Sequence, residues 1–190
     1  MGSMRTAGPR DRLIGALIGI ARAVAGNEHL ISDSADKIVR EGLRASLTDC
    51  GDESLAALIR RVEEEKRRLI PHCYECASPC GKNSDYDMRL LWTAGEEVRS
   101  RKVLLLSGIQ GLAVHACRAA ALGYADREVN RFFYRALFAI GEEGFGAEEL
   151  LPLLAETGAA VWKCMTLLPA PRAGHRSEED GEKTMDGEEE

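Results

Sequence analysis

Three cysteines within eight residues carry the chemistry on offer: Cys73, Cys76 and Cys80, in the run Pro71-His72-Cys73-Tyr74-Glu75-Cys76-Ala77-Ser78-Pro79-Cys80-Gly81-Lys82. A C-x2-C-x3-C spacing in a Pro- and Gly-bearing loop lets three thiolates turn toward one centre. Thiolates are the ligands preferred by zinc and by iron–sulfur clusters. Three ligands are one short of the usual four. Candidates for the fourth are Cys117, His115, His72, Cys50 and Cys164, or an exogenous group. Cys117 and His115 stand two residues apart on an expected helix, roughly 200° around it, so at most one of them faces the site. His72 adjoins Cys73, an awkward geometry for shared ligation.

Each of these residues also has a plainer role to weigh. Cys117 and Cys164 fall on apolar helices and read as small buried side chains. Cys50 reads as an exposed or half-buried loop thiol, and His115 as a satisfied histidine on a helix face. The loop thiols could instead be free or disulfide-capable. A thioredoxin-type dithiol needs a βαβ setting that this sequence lacks. Other catalytic templates fail too. Radical-SAM clusters use the reverse cysteine order, no Glu-x-x-His pair supports a di-iron bundle, and no nucleophile elbow or acid–base carboxylate pair stands out.

The elements that must hold the cysteines are helical. Leu13, Ile14, Leu17, Ile18, Ala21 and Val24 recur at three- and four-residue spacing, and Gly26-Asn27 stops that helix. Ser32 to Asp36 starts a second helix, and a third follows Asp52, with Glu63–Arg67 and Glu64–Arg68 pairs along a solvated face. After the loop at 71–86, Asp85 or Asp87 caps the next helix, which is expected to bend or break near Arg99-Ser100-Arg101. Its later, small-residue stretch, with Gly108 and Gly111, suits close packing. Asp126 caps a helix whose stripe is Val129, Phe132, Phe133, Ala136, Leu137 and Ile140. The last helix carries Leu150, Leu151, Leu154, Val161, Trp162, Met165 and Leu168, with Trp162 taken as core. No run alternates as a strand does. The expected fold is therefore all-α, a bundle of about six to seven helices with one Cys-rich loop. It forms a single domain over 4–168, with Met4 as the native start, helices over 9–70 and a second group over 87–168.

Composition agrees with a globular domain: hydrophobic residues are 45 % and charged residues 29 % of 190. A net charge of -6 supplies no basic stripe, so nucleic acid is not an expected partner. Residues 172–190 hold eight acidic and three basic residues, and 169–190 reads as a disordered acidic tail. Apolar runs look too short to span a bilayer, no signal peptide is visible, and six cysteines without a secretory context point to the cytoplasm.

Taken together, several segments resemble one family. Cys73-x-x-Cys76 followed by Cys80-Gly81-Lys82, then Gly108-Ile109-Gln110-Gly111-Leu112-Ala113, is similar to the N-terminal region of the hybrid-cluster proteins. These are the hydroxylamine reductases, related to nickel–iron carbon monoxide dehydrogenases. The likeness continues through Leu122-Gly123-Tyr124, Glu128-Val129-Asn130 and Ala136-Leu137-Phe138 to Met165-Thr166-Leu167-Leu168, about half the chain over 72–168. The family's helical domain begins with a four-cysteine motif holding an iron–sulfur cluster. The resemblance implies that Cys73 and Cys76 match its first pair and Cys80 its last, while its third cysteine has no counterpart here.

The family's catalytic cluster sits in later α/β domains, so hydroxylamine reduction is not carried over. The expectation is a small protein binding an iron–sulfur cluster, [4Fe-4S] by family, for electron transfer or redox sensing, with a redox partner protein. It is an oxidoreductase if it is an enzyme at all. The alternative is a non-enzymatic scaffold with a structural zinc, or with no metal and thiols used only for partner contacts. A homodimer would supply missing ligands.

Overall fold

In the computed structural model, residues 8–69 and 85–168 are described. They contain six α-helices, two 3-10 stretches and no strand, so the fold is all-α. Helix α1 (Pro9–Val24) begins with Pro at its first turn, where a missing N–H costs nothing. Gly26, at φ +76°, ends it. Leu13, Ile14, Leu17, Ile18, Ile20 and Val24 are buried on several sides, which makes α1 the axis of the core. It packs against α2 (Asp33–Leu47), α3 (Asp52–Leu69) and α5 (Arg127–Gly141).

Local chemistry sets the helix starts. Ser32 Oγ accepts from Ala35 N at 3.0 Å to cap α2, and Asp126 Oδ1 accepts from Glu128 N at 2.8 Å to cap α5. Asp87 caps a 3-10 stretch, Met88–Thr93, and not the long helix that follows it. That helix, α4 (Glu96–Ala121), runs unbroken through Arg99-Ser100-Arg101. The expected bend is absent because Arg101 braces the turn, pairing with Glu97 at 2.6 Å and donating to Ala147 O at 2.6 Å. The chain turns earlier, at Ala94 and Gly95.

By length and mean hydropathy α4 is apolar enough to cross a membrane, which corrects the impression given by its short apolar runs. Its inner row, including Leu105, Ile109 and Leu112, is buried in a helix that packs on α2, α5 and α6 (Ala147–Thr166). Lys102, in the same helix, is only 3 % exposed. It donates to Ile140 O at 3.0 Å and Glu142 O at 2.6 Å, satisfying carbonyls at the end of α5 that no helical N–H reaches. Burial pushes its ammonium down from the ordinary lysine value.

Two expectations about helix faces are corrected. Trp162 is 70 % exposed, not core. The inward row of α6 is Leu150, Leu154, Thr157, Val161 and Cys164, and Trp162 stands on the opposite side. On α3, Glu63 pairs with Arg67 at 3.9 Å as expected, but Arg68 reaches Glu65 at 3.2 Å and not Glu64. Glu65 is buried, because Ser32 Oγ donates to it at 2.8 Å across the α2–α3 seam.

Candidate metal centre

Cys73, Cys76, Cys80 and His72 fall in 70–84, outside the described residues, as does the acidic tail over 169–190. The frame around that cysteine-bearing segment is described on both sides. α3 delivers the chain at Leu69, and Asp85 takes it up again. Lys66, one turn before the end of α3, forms an ion pair with Asp85. The backbone then docks on α1, with Tyr86 N donating to Gly15 O at 3.1 Å. Tyr86 is buried, and the Arg22 guanidinium lies 5.9 Å from its ring centre. The described residues on either side of 70–84 are thus held together at one place on the bundle.

Two glycines make that closure feasible. A Cβ on Gly15 would stand 2.3 Å from Tyr86 O, and one on Gly19 would stand 2.7 Å from Asp85 Oδ1. Periodicity alone did not single them out. Their signal was two glycines four residues apart on an otherwise apolar helix, the spacing of a groove that admits another backbone.

The fourth-ligand candidates are dispersed. Cys117 is half-buried on the seam of α2 and α4, in a cleft lined by Lys37, Arg40, Glu41 and Arg44. Burial pushes its thiol up, against the pull of Arg44 and Arg40. Cys164 is 2 % exposed near Ala116 and Asn130, and burial pushes its thiol up as well. Cys164 matches the small-buried-residue reading, whereas Cys117 is only half-buried. Cys50 is half-buried with its sulfur 3.4 Å from Thr48 Oγ1. His115 departs from the satisfied-histidine expectation: its Nδ1 is buried with no hydrogen-bond partner among the described residues. No three His, Cys, Asp or Glu side chains converge on a point among the described residues. Soft thiol donors such as Cys73, Cys76 and Cys80 would suit an iron–sulfur cluster or zinc.

A buried polar network, which no sequence motif announced, braces the bundle where α2 meets α5. Arg40 donates to Asn130 Oδ1 at 2.9 Å, and Asn130 Nδ2 donates to Asp36 Oδ2 at 3.0 Å. The other Asp36 oxygen and the Tyr134 hydroxyl are both buried, and neither finds a partner of hydrogen-bond geometry among the described residues. Burial is the main cause that raises the Asp36 carboxyl, and it raises the Tyr134 phenol too.

The sign for stability follows from the raised carboxyl. The folded chain keeps the Asp36 proton at a pH where the unfolded chain has lost it, so the contribution is favourable in acid and is lost as pH rises through the folded value. Asp36→Asn is accordingly expected to raise thermal stability at pH 7 by about 1 kcal/mol, since the amide keeps the Asn130 contact and offers Tyr134 a donor. Melts at pH 7 and pH 4 check this. The gap between variant and parent should narrow in acid, and a lower melting temperature for the variant at pH 7 would show that the carboxylate is held favourably by Arg40.

No family model matches the chain. Among curated proteins, a hydroxylamine reductase of Porphyromonas gingivalis is 35 % identical over 185 aligned positions, covering 86 % of this chain and 33 % of that protein. One from Chlorobaculum tepidum is 32 % identical over 177 positions, again covering 86 % and 33 %. One from Methanococcus vannielii is 30 % identical over 183 positions, covering 86 % and 34 %. The chain spans about a third of the length of these relatives. The residues from Cys73 onward make up less than two thirds of the chain. Coverage of 86 % therefore reaches back into the helices before Cys73, further than the 72–168 resemblance, and the cysteine segment lies inside the matched stretch, not at its start. Over about a third of their length the chain is thus similar to the hydroxylamine reductases, or hybrid-cluster proteins, a partial match consistent with their N-terminal domain.

Proposed function

We propose that the protein binds an iron–sulfur cluster, most simply [4Fe-4S], through Cys73, Cys76 and Cys80 and uses it for electron transfer or redox sensing in the reducing cytoplasm. The observation that carries this reading is that the Lys66–Asp85 ion pair and the Tyr86–Gly15 hydrogen bond hold together the residues that flank the segment bearing three thiols. Relationship to a family whose name denotes a metal cluster supports it, and the internal position of the segment places the weight on the thiols themselves.

When bound, the cluster supplies a one-electron couple. The work of the chain is to hold the three thiolates together and to keep the segment's ends fixed on a rigid helical frame, so that little of the site rearranges when the charge changes. Electrons would come from a one-electron donor protein and leave to an acceptor, with no bond made or broken in the polypeptide.

The test is a redox titration of anaerobically purified protein. Broad absorption near roughly 400 nm, where thiolate- and sulfide-to-iron charge transfer falls, should bleach on addition of dithionite and return on reoxidation. Absorption that does not respond would leave the cluster without a redox role. A stoichiometric, colourless zinc content would favour a structural role, because the same soft donor set suits zinc.

A further inference from the structure

The outer side of α6 has the composition of an interface. Leu151, Ala155, Gly158, Trp162 and Met165 follow one another at four- and three-residue spacing and all are exposed, Trp162 by 70 %, Met165 by 47 % and Leu151 by 43 %. Beside them, Pro152, Ala159 and Thr166 are exposed and uncharged too. Charge returns at the margins, with Glu156 and Lys163 along one edge and Glu148 and Glu149 in the first turn. Leu104, 61 % exposed on α4, borders the same surface, between Arg101 that contacts Ala147 and Gly108 that faces Thr157. A solvent-facing helix of a globular protein ordinarily carries its charges on this side.

The bare parts of Leu104, Leu151, Trp162 and Met165 amount to roughly 500 Å², near the top of what a monomer leaves uncovered. The acidic residues 169–190, with Met185 as their one large apolar side chain, do not have the composition to cover it.

The order of residues along the stripe indicates the occupant. Counted from Gly158, Leu151 lies seven positions before and Met165 seven after, while Ala155 and Trp162 lie three before and four after. An antiparallel copy of α6 crossing at Gly158 would therefore set Leu151 against Met165 and Ala155 against Trp162, a small side chain opposite each large ring. The crossing point itself is clear, because a Cβ on Gly158 would meet nothing within 4 Å. A surface that complements itself under a two-fold rotation is what an isologous dimer requires.

We propose that the chain forms a homodimer through antiparallel packing of α6, centred on Gly158 and anchored by Trp162. This inference is independent of the cluster. Since about 800 Å² per partner marks a standard interface and this face supplies less, the dimer should be concentration-dependent, assembling between about 1 and 100 µM.

The test is mass by light scattering or sedimentation of the full chain under reductant, which excludes disulfide-linked dimers. The parent should move from 20.7 kDa toward twice that value with concentration. Trp162→Glu and Ala155→Arg, both at exposed positions, should stay monomeric with unchanged far-ultraviolet circular dichroism. In Trp92→Phe, where Trp162 is the remaining tryptophan, emission should shift to the blue as concentration rises. A parent that remains monomeric at 100 µM overturns the proposal. So do variants at 155 and 162 that both still dimerise, or a dimer that disappears when Cys73, Cys76 and Cys80 are changed to serine, which would assign it to the loop.

Discussion

Gly15→Ala is expected to destabilise the fold by about 3 kcal/mol, roughly a 10 °C fall in melting temperature for a domain of this size. The new methyl would stand 2.3 Å from the Tyr86 carbonyl oxygen, a backbone atom that no rotamer change can move. Two other constraints hold that backbone in place: the Tyr86 N–H bonded to Gly15 O and the buried Tyr86 ring beneath Arg22. Relief would come only by pushing the returning chain off α1, with loss of the hydrogen bond and of Tyr86 burial. The gain in helix propensity, about 1 kcal/mol for Gly to Ala, offsets part of this. Gly111→Ala isolates that gain, because a Cβ there meets nothing within 4 Å. It should raise stability by up to about 1 kcal/mol. Denaturant unfolding of both variants gives the comparison. Equal effects of the same sign would mean that the approach of Tyr86 to α1 is not tight in solution.

Serine at Cys73, Cys76 and Cys80 together is expected to remove all bound iron and colour while leaving helix content unchanged. The separation follows from where the core lies. Leu13, Leu17 and Ile18 of α1, Leu105 and Leu112 of α4, and Phe132, Phe133 and Leu137 of α5 are all essentially inaccessible to solvent and lie in helices that pack on one another. The loop's ends stay closed by Lys66–Asp85 and Gly15–Tyr86 without any ligand. Circular dichroism and thermal melting therefore serve as the control for metal content. A variant that unfolds outright would move the segment from a redox role to a structural one, as in small domains whose folding free energy is metal-binding free energy.

The parts of the fold that were legible in the sequence are those where one residue decides locally. Ser32 and Asp126 cap because their side chains reach N–H groups two or three residues on, and Gly26 ends α1 because its backbone takes a positive φ. The stripe of α5 was equally clear, since its opposite face is polar and only one orientation buries Phe132 and Phe133. Helix α6 is apolar on two sides, so period alone could not say whether Leu150 or Trp162 turns inward, and the packing of α4 against Thr157 chose the former. Glu65 and Lys102 were hidden for a related reason. A charged residue on a helix reads as solvated until the neighbouring element supplies Ser32 or the carbonyls of Ile140 and Glu142.

The same division runs through the candidate site. The spacing of Cys73, Cys76 and Cys80 is local and visible in the sequence, and these residues lie outside the described ones. Lys66, Gly15 and Gly19, which fasten the segment to the bundle, belong to tertiary contacts between positions far apart in the chain. The reach of the family match into the first helices went unread because those helices carry apolar rows without distinctive short motifs.

Iron and acid-labile sulfide in anaerobically purified protein, measured per chain, test the central claim most directly. The account predicts both in comparable amount, up to about four of each per chain for a cubane cluster, and neither in the triple-serine variant. Protein that carries zinc alone, or neither iron nor sulfide after anaerobic purification, would contradict it.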